Sequence, residues 1–423
     1  MSTSHLQQFL EETAAVEDFV PLTDASAVIP LEHIDQRLDQ EALANAAPFV
    51  ALEQAQQQYL ALEGFKTLLE QRLAFGGASG DTLKAIHIGL EHFMPLVTVN
   101  TPSLESFGGT RSRLEATEAS VEAFSDAAKA AYQKAQGLIR EIINQLRDMY
   151  ERLIYNIDAL DAKADAMITM VGKISGTSNE NRIHVAGLNQ VAIDGKVVLD
   201  DFTRLTYIVE GVTSMSTRYW FKAIDQLGSY VSKHSGADWD TTAYREYLSA
   251  NLVFDNFATQ GVRLDDKWTR SEPAQGNKAL FHQDGTFELQ IREVEDSAKT
   301  NAQEVPVSTQ AQLRARLVRV KGMLSKIRAM DQASSKYKAA LDNFYRIYGE
   351  VERYAADGDE DASRVVSFVS REAYKLASFP GKEVPDITHY ALKVLTAVMA
   401  VTERELKTYM APVPSPKMVP QPA

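Results

Sequence analysis

The chain has 423 residues, 45% of them hydrophobic and 24% charged, a composition that suits a folded protein of two or three domains with at least one sizeable core. It holds no cysteine, which excludes a disulfide framework, Cys-ligated zinc and a thiol nucleophile. Its net charge of −13 excludes a general nucleic-acid binder and leaves only a local basic face for such contact.

That charge is unevenly placed. Residues 1–105 carry 15 Asp and Glu against 4 Lys and Arg, a net of −11. The whole chain carries 57 against 44, so residues 106–423 carry 42 against 40, a net of −2. One quarter of the chain holds nearly all the excess, as a detachable acidic segment would. The opening residues Met1-Ser2-Thr3-Ser4-His5 lack the basic and apolar regions of a secretory signal.

Residues 1–75 read as helix, with Leu60, Leu62, Phe65, Leu68, Leu69 and Leu73 near helical spacing. The run from Phe75 to Gly80 breaks it, and Asp81 is expected to cap a short helix running through His87 to Phe93. Pro95 ends that helix, and residues 98–102 read as extended because Pro102 disfavours helix at the residue before it. The stretch Ser103–Gly109 therefore sits in an extended segment flanked by Pro and Gly, a form a protease can lay into its cleft.

From Arg111 to about Ser175 the chain reads as one long helix or a tight helical pair. Leu138, Ile142, Leu146, Met149, Leu153, Ile157 and Leu160 form its heptad-like seam. The period then becomes strand-like, and a first hairpin is expected at about 183–198 with Asp194-Gly195 as its turn. Residues 200–260 return to helix. A second hairpin is expected at about 280–291, where Phe287, Leu289 and Ile291 alternate with polar residues. Residues 309–355 and 361–378 read as helix, and Asp386 is expected to cap a last helix reaching about Tyr409. Five prolines in 411–423 rule out helix there and suggest a disordered tail. The expected fold is mainly α, an elongated bundle of long helices with two short hairpins.

The chemistry-bearing motifs are sparse. Eight histidines are scattered without metal-ligand spacing, so no metal is expected. The glycines at 76, 77 and 80 lack the lysine of a phosphate loop. The acidic run Asp357 to Asp361 resembles the start of a calcium loop but has Ala362 where Gly is needed and Phe368 where Glu is needed. No nucleophile elbow occurs, and the chain is expected to be neither an enzyme nor a cofactor binder. One charged feature stands out. Nine basic residues lie between 311 and 346, among them Arg314, Arg316, Arg319, Lys321, Lys326 and Arg328, against only Asp331 and Asp342. They read either as a helical face for DNA phosphates or as a solvated face balancing acidic neighbours.

The residues Pro102-Ser103-Leu104-Glu105 followed by Ser106-Phe107-Gly108-Gly109 resemble the processing site of internal head (prohead core) proteins of large tailed bacteriophages. The resemblance covers roughly residues 60–110. It implies an acidic propeptide, residues 1–105, cut off by the phage prohead protease between Glu105 and Ser106 during capsid maturation. Ala51-Leu52-Glu53 and Ala61-Leu62-Glu63 match the same loose motif and imply secondary cuts after Glu53 and Glu63. A mature helix-rich domain at 106–410 and the tail at 411–423 would follow. The implied partners are the protease, other core or scaffold proteins and packaged DNA. The implied place is the capsid interior, after synthesis in the host cytoplasm and with ejection alongside the genome as a further step. The runner-up reading is a membrane-active helical bundle that forms pores or remodels bilayers.

Overall fold

The structure is a computed structural model that describes residues 29–83, 85–86, 112–174, 176–233, 242–257, 261–331, 334–355 and 360–410. The junction Ser103–Gly109, the helix expected through His87 to Phe93 and the tail 411–423 lie outside the described residues. The fold is mainly α with a few short antiparallel strand pairs, as expected. It divides into two compact units, one formed by residues 1–45 and 146–423, the other by 46–145.

Helix α1 (Leu31–Leu73) and helix α2 (Arg113–Lys173) each contribute to both units. The expected long helix is thus a single one of 61 residues. In the 46–145 unit, α1 from Tyr59 to Leu69 and the residues Ala78, Leu83 and Ile86 bury apolar side chains with Ala116, Phe124, Ala127, Ala128 and Ala131 of α2. Phe65 and Phe124 meet with ring centroids 6.4 Å apart. Helix starts here are capped by side chains. Ser112 and Glu115 exchange hydrogen bonds, the Ser112 amide to Glu115 Oε2 at 2.9 Å and the Glu115 amide to Ser112 Oγ at 3.3 Å. The helical turn that begins at Gly80 is capped by Ser79, which accepts from the Thr82 amide at 3.2 Å, two residues before the expected Asp81. Gly77, at φ 97°, is required there, because a Cβ would lie 2.7 Å from the Arg113 carbonyl oxygen.

The larger unit is built around helix α10 (Val384–Met410), which is buried on most of its sides. Around it lie α3 (Thr203–Ser214), α4 (Phe221–Lys233), α5 (Thr242–Asn251), the single turn α6 (Phe254–Phe257), α7 (Gln310–Asp331), α8 (Ser334–Ala355) and α9 (Glu360–Ser378). Two π-helical turns join neighbouring helices, Met215–Trp220 between α3 and α4 and Phe379–Glu383 between α9 and α10. Helical backbone is therefore continuous into α10, and Asp386 lies in its first turn rather than capping it. Trp220 is fully buried and donates its indole N–H to the Leu376 carbonyl at 2.8 Å. Tyr337 stands edge-on to Trp220 at 4.9 Å and stacks on Phe221 at 5.4 Å.

The strands correct two expectations. Strands β2 (Ala192–Ile193) and β3 (Lys196–Val197) do form a hairpin, with Asp194 at φ 49° and Gly195 at φ 77° in its two-residue turn. Strand β1 (Arg182–His184), expected in that hairpin, pairs instead with β8 (Glu304–Pro306), placing Ile183 opposite Val305. The second expected hairpin is real, β6 (Lys278–Gln283) with β7 (Leu289–Glu293), but it belongs to a four-stranded meander begun by β4 (Val262–Arg263) and β5 (Trp268–Arg270). Asn277, itself at φ 55°, ties hairpin to sheet. Its side chain accepts from the Asp194 amide and donates to the Ala298 carbonyl, both at 2.8 Å.

Candidate functional site

Six of the nine basic residues, Arg314 to Arg328, lie on α7, and Lys336, Lys338 and Arg346 lie on α8. The start of α7 is fixed by a reciprocal cap between Thr309 and Gln312. Leu313, Leu317, Val320, Leu324 and Ile327 recur at 3- and 4-residue steps and are buried. Arg316 falls on this same apolar face and is 1% exposed. Its guanidinium contacts Asp200 at 2.9 Å, Ser308 Oγ at 2.7 Å, Thr402 Oγ1 at 3.3 Å and the buried Glu405 carboxylate. Burial pulls the guanidinium pKa down, but the Asp200 hydrogen bond and the charges of Glu405 and Asp200 outweigh it and leave it raised. The other Glu405 oxygen accepts from the Ser308 amide at 3.0 Å and its hydroxyl at 2.8 Å. This closed network joins the start of α7 to α10. It takes Arg316 out of the solvent-facing set expected to meet phosphate.

Four other basic residues of α7 sit between acidic residues of α2 on one side and Glu210 and Asp200 on the other. On one side α2 presents Asp158, Asp161 and Asp165, spaced three and four apart. Lys321 reaches Asp161 at 3.2 Å and also binds Asp165, and Arg328, seven residues on, binds Asp158. Burial pulls the Lys321 ammonium down, and the two aspartates more than offset it, leaving its pKa raised. On the other side Lys326 meets Glu210 of α3 at 2.6 Å, and Arg319 lies 3.9 Å from Asp200. Arg314 is exposed. The face is thus largely balanced by acidic neighbours within the fold. The stripe at 158, 161 and 165 is readable in the sequence; its pairing with a helix about 160 residues away is not.

Ser103, Leu104, Glu105 and Ser106 lie outside the described residues. Glu53 and Glu63 lie within the unbroken α1, Glu53 exposed and Glu63 half-buried, with the adjoining Leu52 and Leu62 both 0% exposed.

A family model for phiKZ-like phage internal head proteins matches residues 28–404. The chain belongs to that family. The match runs through both the acidic segment and the helical remainder, and so through both units. No curated protein and no solved structure matches the chain. A phiKZ-like internal head protein is a structural protein of the capsid interior, and its partners are components of the phage head. Among the described residues no helix is long and apolar enough to cross a membrane. The apolar run Leu392 to Val401 forms the middle of the enclosed helix α10.

Proposed function

We propose that this internal head protein is made in the host cytoplasm with an acidic N-terminal segment, and that the phage prohead protease cuts it between Glu105 and Ser106 inside the assembling head. The charge step carries this reading. A cut there divides a chain of net −13 into parts of net −11 and −2. While the shell assembles, the acidic part repels DNA phosphates and favours contact with other core proteins. The near-neutral part from Ser106 onward then lies beside the packaged genome and leaves with it on ejection.

Contact with DNA in this reading is weak and diffuse. Lys321, Lys326 and Arg328 already hold carboxylates, so Arg314 and Arg319 are the residues of the set best placed to meet a phosphate.

Mass spectrometry of purified particles tests the cut. The expected result is an N-terminal peptide beginning at Ser106. A peptide running continuously from Glu105 into Ser106 as the main species overturns the reading.

A further inference from the structure

We infer that cutting the junction does not by itself release the acidic segment: its helical part stays bound to the rest of the protein as a non-covalent second chain. The inference takes its place in the virus from the proposed cut, but its physical basis is independent of which protease acts.

Each unit holds the segment separately. In the larger unit, the first turns of α1 bury Leu31, Ile34 and Leu38, at 5%, 1% and 0% exposure. Polar contacts surround that apolar stripe. Asn156 of α2 donates its amide to Glu41 Oε2 at 2.8 Å, and His389 of α10 lies 3.6 Å from the same oxygen. Lys393 of α10 lies 3.9 Å from Asp35 and binds Asp39. The Arg37 guanidinium sits 4.5 Å from the centre of the Tyr155 ring, and Arg152 reaches Asn45 at 3.4 Å. In the smaller unit, Tyr59, Leu62, Leu69, Ala78, Leu83 and Ile86 share one core with residues 116–131 of α2. Each large apolar side chain withdrawn from water favours the bound state by about tenfold or more. Cutting one peptide bond in the connecting segment removes none of these contacts.

Two consequences follow. The −11 charge leaves the head only when the segment dissociates, so cleavage and discharge are separate events. The motifs ending at Glu53 and Glu63 are closed to a protease while α1 is seated, because Leu52 and Leu62 are buried within an intact helix. Cuts there come after the segment has left, which orders the processing: junction first, release next, α1 last.

The test uses the full chain with a site-specific protease sequence inserted between Glu105 and Ser106. After complete cutting in vitro at about physiological ionic strength, both pieces are expected to elute together and to give the summed mass by native mass spectrometry. Lys393→Glu, at a side chain already one-third exposed, is expected to speed dissociation several-fold, and Leu38→Asp with Leu62→Asp more than tenfold. Prompt separation of the two pieces, with the 106–423 piece retaining its helical circular dichroism, overturns the inference. So does co-elution that neither variant weakens, which marks non-specific association. If the double variant does not fold, the Lys393→Glu result decides. Because the inserted site is cut by an unrelated protease, an uncut chain in virions sinks the processing reading alone, and separation in vitro sinks retention alone.

Discussion

Arg316 and Glu405 face each other with almost no exposure to solvent, one on α7 and the other on α10, and each is fully used by its neighbours. A buried pair of this kind is costly to break and adds little net stability relative to a well-packed apolar pair. Arg316→Met should therefore destabilise the protein by about 3–5 kcal/mol, because it strands the Glu405 carboxylate. The double change Arg316→Met with Glu405→Leu should recover most of that loss. Urea denaturation of the three proteins checks this, and a double variant as weak as the single one contradicts it.

The same pair separates fold from phosphate contact in any DNA assay. Across about 50–200 mM salt, DNA affinity should fall with a shallow slope, corresponding to about one or two phosphates. Arg314→Glu with Arg319→Glu should weaken binding at low salt while the fold is kept. Arg316→Glu should instead lower the unfolding temperature. Fluorescence polarisation on duplex DNA alongside thermal melts distinguishes these outcomes, and a steep slope unaffected by the Arg314 and Arg319 changes would count against the assignment.

Glu383 lies in the π-helical turn before α10, and burial pushes its carboxyl from the ordinary 4.5 up to about 8. Asp386 and Glu288 add to the rise, while Lys382 and the Ser378 hydroxyl, 3.2 Å away, oppose it. The folded protein thus keeps a proton that the unfolded chain gives up near 4.5. This contribution to stability is complete below about pH 4.5 and is lost as pH rises towards about 8. Glu383→Gln should flatten the fall in melting temperature over that window and should stabilise the protein most at its alkaline end, by roughly a few kcal/mol. Parallel melting curves of parent and variant from pH 4.5 to 8 give the comparison; identical pH dependence would refute it.

Asn277 carries both a positive φ and two partly buried hydrogen bonds. Asn277→Ala should cost about 2–4 kcal/mol, since it leaves the Asp194 amide and Ala298 carbonyl without this partner and strains the backbone. Asn277→Gly relieves the strain but not the lost bonds, and should be the milder of the two by about 1 kcal/mol. Chemical denaturation measures the difference, and an equal cost would mean the backbone conformation is not held against resistance.

The helical frame was legible because its apolar residues recur on one face: Ile142, Leu146, Met149, Leu153, Ile157 and Leu160 are all buried along α2. The hairpin at Asp194-Gly195 was legible because few residue pairs fit that turn. Strand β1 was misplaced because three residues carry no register, and its partner lies about 120 residues away. The basic run was legible as charge but not as a surface. Arg316 sits three residues after Leu313 and four before Val320, so its position on the apolar face was present in the spacing and hidden by its charge. Partner identity was the missing quantity throughout, since the aspartates that occupy Lys321 and Arg328 belong to a helix from another part of the chain.

The most enclosed helix of the larger unit, α10, is made after every other helix described here. During synthesis the inner faces of α3 and α7 wait for it, and so do Asp35 and Asp39 in the first turns of α1, which meet Lys393. A chain that stops before residue 384 therefore keeps the α2 side of the seat for its amino-terminal helix, at Asn156 and Tyr155, and lacks the α10 side, at His389 and Lys393. Full seating of the first turns of α1 therefore joins the earliest and the latest of the described helices, so the larger unit closes only when both are present.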